Sequence, residues 1–265
     1  MKKRFLTLAA FALLFAGLNS CSKNEPVTLL QNGLSPDLEA QITALGFDAS
    51  DAYATEGGYI VEGDIFLSDE DLNKPMDLLH SLLVGEEEQY HTTNLVTGLP
   101  REITIRVVST MPNSIHTATT NAINRYNAEG LQLTFRKVTS GGNIVIKKAP
   151  NGAQYIASAG FPSGGNPYGT IMFNNNYSGW NSNTLTSIIA HEIGHCIGYR
   201  HTDYADRSYS CGGAPFNEGD GGVGAIHIPG TPTGPDAASW MLACIGNGTN
   251  RPFNANDKTA LSTLY

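Results

Sequence analysis

Alternating and helical hydrophobic patterns predict a mixed α/β domain in the second part of the chain. Ile103, Ile105 and Val107 occupy every second position, which is typical of a strand with one buried face. Residues 113–127 carry apolar side chains at helical spacing, and residues 183–198 carry them over so wide an arc that we expect a helix buried on most sides. The pattern predicts further strands at 131–138, 143–148 and 169–173. A twisted sheet backed by two long helices is an α/β (α+β) fold.

Shorter elements precede this domain. Ser35 followed by Pro36 predicts the start of a helix that ends near Gly46. Residues 59–67 are predicted to form a strand interrupted by a glycine. The predicted organisation is a small N-terminal module at 35–96, marginal as an independent core, and a main domain at 97–265, with a Gly- and Pro-rich irregular half beginning at 203–239.

The start of the chain has the pattern of an export signal. A basic segment is followed by an apolar run from Phe5 to Leu18, which is short for a membrane span. The residues before Cys21 resemble a bacterial lipobox, although Asn19 is an unusual occupant. We therefore expect residues 1–20 to be a signal peptide, Cys21 to be acylated, and residues 21–34 to tether an exported, membrane-anchored lipoprotein. An ordinary signal peptide with an incidental Cys21 is the alternative.

Charge and cysteine content limit the cellular compartments and the binding partners that the protein can have. Without the signal peptide the chain has 13 basic against 24 acidic residues, and this acidic balance argues against a nucleic-acid partner. An exported chain keeps disulfides, and the three remaining cysteines allow one pair and one free thiol. The pairing stays open among them, with a preference for Cys211–Cys244 because Cys196 lies on the helix expected to be buried.

That buried helix carries the candidate chemistry. His191 and His195 are four residues apart, so their imidazoles lie one turn apart on the same face. Imidazole nitrogens suit zinc. Glu192 points about 100° away around the helix, so it cannot join both histidines on one ion but can reach a water there. Zinc lowers the pKa of such a water to about 7. The pattern predicts a hydrolase with Glu192 as general base.

A third histidine, His201, follows His195 by six residues. It cannot reach the same ion while the helix runs straight, so the helix must end and the chain must turn back. Gly198 lies between them and takes the positive φ that such a helix end requires. We therefore predict one zinc ion held by the three histidines.

The extended motif H-E-x-x-H-x-x-G-x-x-H resembles that of the metzincin zinc peptidases. The sequence HEIGHCIGYRHTD more narrowly resembles the bacterial dual-action HEIGH metallopeptidases of that clan. The resemblance covers residues 97–265 well and the N-terminal part more loosely. It implies an endopeptidase acting on proteins or peptides, with Met241 in a tight turn as the apolar floor beneath the zinc ligands. It also implies that the strand at 171–173 is the sheet edge that pairs with extended substrate.

Two positions depart from the clan pattern or lie outside its ligand set. Ala243 stands where some metzincins have a tyrosine that helps to hold the transition state. Asp203 lies two residues beyond the last ligand, where we expect it to brace a loop or to accept a hydrogen bond from a ligand histidine.

Two further ion-binding predictions concern acidic residues. The segment Val61-Glu62-Gly63-Asp64-Ile65 resembles the F-x-G-D segment of astacin-type propeptides, although Val61 replaces the phenylalanine. The resemblance implies that Asp64 occupies the metal site and keeps the enzyme latent. The alternative is an ordinary turn with a solvated Asp64. The run Asp220-Gly221-Gly222 offers loop oxygens to a calcium ion.

Two other functions use the same histidines. A zinc-stabilised surface adhesin or binding protein would hold the metal without turnover, but a structural site needs no general base and usually has a fourth protein ligand. The motif supplies Glu192, and Cys196 is the only other metal-binding side chain adjacent to it. A zinc hydrolase for a non-peptide amide needs the same residues as a peptidase, so the sequence does not separate these two activities.

Overall fold

The computed structural model describes residues 33–72, 89–219, 224–232 and 234–265. The predicted signal peptide, Cys21 and the calcium-binding run at 220–222 lie outside these ranges, so those assignments stay predictions. None of the helices within the described ranges combines the length and the apolar character needed to cross a membrane.

The N-terminal module contains a helix and a small antiparallel sheet with a core of their own. Ser35 caps the helix by accepting a hydrogen bond from the Leu38 amide, which confirms the predicted helix start. The prediction of a single strand at 59–67 is wrong, because Glu62 (φ 51°) and Gly63 (φ 83°) reverse the chain and make two antiparallel strands. The elements are α1 (Pro36–Ala44), β1 (Tyr53–Thr55), β2 (Gly58–Val61), β3 (Ile65–Ser68) and α2 (Asp69–Leu72).

A five-stranded sheet lies at the centre of the main domain. In chain order the elements are β4 (Tyr90–His91), β5 (Arg101–Val107), α3 (Asn113–Asn127), β6 (Leu133–Val138), β7 (Ile144–Lys148), β8 (Ala157–Ser158) and β9 (Thr170–Phe173). The sheet order is β6-β5-β7-β9-β8, with β8 antiparallel and the other strands parallel. The expectation that 171–173 forms the edge is wrong, because the two-residue strand β8, too short to give a hydrophobic pattern, covers β9.

Two long helices pack against each other and contribute to the core of this domain. The second, α4 (Ser182–Ile197), has fourteen of its sixteen residues buried, as its apolar arc predicts. The Tyr126 hydroxyl of α3 donates a hydrogen bond to the Ala190 carbonyl of α4, which fixes the two helices relative to each other. This mixed architecture confirms the predicted α/β class.

The chain after α4 is irregular and is held by a disulfide and a short ladder. It contains α5 (Ser208–Cys211), β10 (Ile226–His227) and the C-terminal helix α6 (Ala255–Leu264). Strand β10 pairs with β4, so the irregular half is tied to residues that precede the main sheet. Cys211 is bonded to Cys244 and Cys196 is a buried free thiol, which confirms the preferred pairing.

Candidate metal centre

The end of α4 brings the third histidine back towards the first two. Gly198 caps the helix with φ 111°, and a Cβ at that position would lie 2.7 Å from the Asn94 carbonyl oxygen. Only glycine combines this φ with so close an approach. The ring of His201 is centred 4.8 Å from that of His195 and 5.3 Å from that of His191. The structure therefore brings together the three histidines that the sequence singles out.

Each ring is held through its Nδ1 atom by an oxygen acceptor. His191 Nδ1 lies 3.0 Å from the Trp240 carbonyl oxygen, and His195 Nδ1 lies 2.8 Å from that of Tyr199. His201 Nδ1 lies 2.8 Å from a carboxylate oxygen of Glu218. Since these oxygens accept, the Nδ1–H of each ring is the donor, and the Nε2 atom is the nitrogen left to face the other two rings.

The three Nε2 atoms converge on one point. The Nε2 atoms of His195 and His201 are 3.2 Å apart, and the buried Nε2 of His191 has no hydrogen-bond partner. Burial and the neighbouring histidines lower the pKa of His195 well below its ordinary value, so its ring is neutral. Three imidazole nitrogens that face one point form a donor set that suits zinc. The residues present therefore fit a zinc ion.

Asp64 from the turn between β2 and β3 reaches the same point. Its carboxylate oxygens lie 3.2 Å from His201 Nε2 and 3.4 Å from His191 Nε2. One ligand atom from each of Asp64 and the three histidines lies within 4.8 Å of all the others. Burial alone would raise the pKa of Asp64, but His201 and His191 lower it well below the usual range, so the side chain is a carboxylate.

Glu192 is buried beside this cluster but does not belong to it. Its side chain is 2% exposed, and its Oε2 atom has no hydrogen-bond partner. Burial, reinforced by the negative charge of Asp64, raises the pKa of Glu192 well above its usual value. A carboxylate whose proton affinity is raised is suited to accepting a proton from a nearby water.

Met241 packs against the middle of the H-E-x-x-H helix. It is fully buried, and its sulfur would lie 2.5 Å from a Cβ placed on Gly194. The Met241 carbonyl accepts a hydrogen bond from the Thr202 amide, next to His201. The methionine thus lies between the helix that carries two histidines and the segment that carries the third.

The carboxylate behind His201 is a residue that the sequence did not single out. Asp203, the residue considered there, instead accepts hydrogen bonds from Ser210 and from the Ala243 amide, so it braces the loop, which was one of the two expectations. Glu218 takes the other role, and both of its oxygens lie within 3.0 Å of His201 Nδ1. Glu218 lies in a segment without periodicity, so no sequence pattern places it.

A buried ion network connects this carboxylate to the N-terminal turn. Arg200 is fully buried, and its Nη2 lies 2.9 Å from Glu62 and 3.8 Å from Glu218. The Glu62 side chain is also fully buried. A buried arginine needs carboxylate partners, so Arg200 indicates that carboxylates lie near His201. It does not indicate which ones.

Residues 59–265 match the family model described as dual-action HEIGH metallo-peptidase, while no curated protein matches the chain. The fold is similar to two solved structures of myroilysin. One is 16% identical with a TM-score of 0.43, covering 64% of this chain and 82% of that chain. The other is 17% identical with a TM-score of 0.42, covering 64% and 85%. Because the family match spans most of the sequence, the chain belongs to the dual-action HEIGH metallopeptidase family.

Proposed function

We propose that this metallopeptidase is a zinc-dependent endopeptidase of the metzincin type that hydrolyses internal bonds of proteins or peptides. The observation that carries the proposal is the convergence of three imidazole Nε2 atoms beside Glu192, a buried carboxylate with an unpartnered oxygen. The adhesin alternative needs no such base. The fourth group at the site is Asp64, which lies in the N-terminal module and not in the main domain that carries the three histidines.

The steps of peptide hydrolysis are shared between the metal and the side chains of the protein. A zinc ion held by the three histidines supplies a Lewis acid that polarises the scissile carbonyl and acidifies water. Glu192 takes the proton of the attacking water, whose oxygen bonds to the carbonyl carbon. As the carbon–nitrogen bond breaks, Glu192 gives that proton to the departing amine. Glu218 keeps Nδ1 of His201 protonated and so leaves Nε2 free to bind the ion.

Replacing Glu192 with glutamine tests the proposal. Glu192→Gln keeps the shape of the side chain but cannot accept the proton, so we expect full zinc content and a loss of about 10²–10⁴-fold in hydrolysis. Zinc is measured by elemental analysis, and hydrolysis with casein and a peptide library, with and without a chelator. Retained turnover refutes the assigned base. Cleavage of small amides without any peptide cleavage favours the non-peptide hydrolase, and absence of all turnover even in protein that carries Asp64→Ala favours the adhesin.

We also propose that the N-terminal turn keeps the enzyme latent. The oxygens of Asp64 lie where a water and a scissile carbonyl must approach the three histidines. The turn is strained, because Glu62 adopts φ 51°, which is unfavourable by about 1 kcal/mol for a residue with a side chain. The buried pairing of Glu62 with Arg200 compensates this strain and holds Asp64 at the site.

The same segment also occupies the edge of the sheet. The Ala159 amide donates to the Asp64 carbonyl, and the Phe66 amide donates to the Ala159 carbonyl. Ala159 follows β8, the edge strand, and an extended substrate would need these same backbone groups. Residues 64–66 therefore compete with substrate through the backbone as well as through the Asp64 carboxylate.

Replacing Asp64 with alanine in the full-length chain tests latency. We expect Asp64→Ala to raise peptide hydrolysis, because the carboxylate no longer occupies the zinc site. Asp37→Ala is the matched control, since Asp37 is an exposed residue of the same module in the first turn of α1. Hydrolysis rates of the three proteins are compared at equal zinc content. Equal rates for Asp64→Ala and the unaltered protein reject the latency proposal.

The export and lipid anchoring predicted from residues 1–34 remain part of the proposal. The Cys211–Cys244 disulfide supports a location outside the cytoplasm, because such bonds persist in oxidising compartments. Incorporation of labelled palmitate into the full-length protein, and its loss in Cys21→Ser, is the measurement. Equal labelling of both proteins rejects anchoring at Cys21.

A further inference from the structure

A cavity of about 260 Å³ opens beside Glu192. Helix α4 contributes Ile188 to its wall, and the segment after the methionine turn contributes Leu242 and Ile245. Asp64 also lines it, so the cavity adjoins the histidine cluster directly. Its volume accommodates one amino-acid side chain and not a large ligand.

Arg251 introduces a positive charge into this largely apolar cavity. Its backbone amide donates to the Ser187 hydroxyl at 2.9 Å, and its Nη1 donates to the Cys244 carbonyl at 2.8 Å. Ser187, Cys244 and Arg251 all line the cavity. The guanidinium is therefore fixed at the cavity wall by neighbours that share that wall.

Among the residues that the structure describes, no carboxylate forms a direct ion pair with Arg251, although the negative charges of Asp203 and Asp257 act on its guanidinium from a greater distance. Its guanidinium donates to the backbone carbonyls of Cys244 and Leu242 and forms no ion pair there. Burial lowers its pKa, but an arginine remains charged at any physiological pH. Arg207, the other arginine of the cavity, is paired with Asp51 at 3.2 Å. A partly buried cation bound only by carbonyl oxygens favours an incoming anion.

The position of Glu192 determines which substrate residue places its side chain in the cavity. Glu192 gives its proton to the departing amine, so it must lie next to the residue that supplies this amine. The cavity is lined by Glu192 itself. The side chain directed into it is therefore that of the first residue after the scissile bond.

We propose that this cavity selects an aspartate or glutamate directly after the scissile bond and that Arg251 determines this specificity. The inference rests on the proposed endopeptidase function. Carboxylate oxygens would accept charge-assisted hydrogen bonds from the guanidinium, and the side-chain methylenes would pack against Ile188, Leu242 and Ile245. Hydrogen bonds to charged groups of this kind change relative rates by about 10–100-fold.

Matched peptide pairs test the specificity. Full-length protein with Asp64→Ala is given peptides that differ only by glutamate or glutamine after the scissile bond, and kcat/KM is measured for each. We expect the glutamate peptide to be preferred by about 10–100-fold. Arg251→Gln should abolish the preference and Arg251→Glu should reverse it in favour of the glutamine peptide. The ratio for one enzyme preparation does not depend on how much of it is folded.

Arg125→Gln is the matched control. Arg125 donates to the Ser187 hydroxyl and to the Arg251 carbonyl, but it does not line the cavity. The control should keep the preference for glutamate. Arg251→Lys retains a positive charge and should keep the direction of the preference, which provides a second variant if Arg251→Gln fails to fold. An equal rate for both peptides, or an unchanged preference in Arg251→Gln, overturns the proposal.

A binding measurement separates this proposal from the endopeptidase function. Peptides that begin with glutamate or glutamine, the products of cleavage, are titrated calorimetrically into full-length Asp64→Ala that also carries Glu192→Gln. Tighter binding of the glutamate peptide, lost with Arg251→Gln, supports the cavity assignment even if no variant cleaves peptides. Equal binding of both peptides overturns the assignment, whereas absent cleavage with selective binding overturns only the endopeptidase function.

Discussion

Removing the carboxylate of Glu218 should weaken zinc binding although Glu218 does not touch the ion. The side chain is fully buried, and its two oxygens accept from His201 Nδ1 at 2.8 and 3.0 Å. This contact orients the ring and offsets the positive charge of the metal. Loss of such a partner costs about 10–100-fold in metal affinity, or about 1.4–2.8 kcal/mol.

Two substitutions of Glu218 should lower zinc affinity by different amounts within this range. Glu218→Gln keeps an oxygen that can accept from His201, so we expect a loss of about tenfold. Glu218→Ala leaves a buried Nδ1 proton without an acceptor, which adds an unfavourable term of about 1–3 kcal/mol and moves the loss towards about 100-fold. Zinc affinity is measured by competition with a chromophoric chelator at constant pH.

Asp203→Asn is the control for general damage to this part of the protein. Asp203 is as deeply buried and braces the same irregular region through Ser210 and Ala243, but its contacts do not include a ligand histidine. It should lower the melting temperature while zinc affinity stays close to that of the unaltered protein. The reasoning fails if Glu218→Ala binds zinc as tightly as the unaltered protein, or if Asp203→Asn loses as much affinity.

Two predictions concern stability. Burial raises the pKa of Asp257 from 3.8 to about 7, so the folded protein binds this proton more tightly than the unfolded chain; the resulting stability is complete below pH 3.8 and is lost as the pH rises through about 7. Between about pH 5 and about pH 8, the free energy of unfolding should therefore fall by about 2–3 kcal/mol more in the unaltered protein than in Asp257→Asn, as measured by chemical denaturation. An equal fall in both proteins would contradict this. The Cys211–Cys244 bond spans 33 positions, so reduction should destabilise the protein by about 3–4 kcal/mol. A reductant should leave the stability of Cys211→Ser unchanged, and an equal effect on both proteins would contradict the assignment.

The convergence of the three histidines was predictable because their arrangement depends on nearby residues. Helical geometry places His191 and His195 on one face, and a glycine with φ 111° ends the helix before His201. Each of these features involves positions within about ten residues of the others. The preferred pairing of Cys211 with Cys244 followed from the same helix, since its apolar arc indicated a buried thiol at Cys196.

The strand at 59–67 shows where a local pattern misleads. Apolar residues flank the turn on both sides, so the sequence resembles one interrupted strand, yet Val61 pairs with Ile65 in an antiparallel hairpin. Glutamate is not a residue type that signals positive φ. Glu62 takes that conformation because Arg200, 138 positions away, pairs with it in the interior.

The sequence by itself determined the two long helices and the spacing of the three histidines, because these follow from backbone geometry over a few helical turns. Tertiary structure decided that Glu218 holds His201, that Arg251 lies at the cavity, and that Asp64 reaches the histidines. Each of these depends on charged groups brought together from distant parts of the chain. The free energy that selects such pairs comes from burial, which exists only after the whole domain has folded.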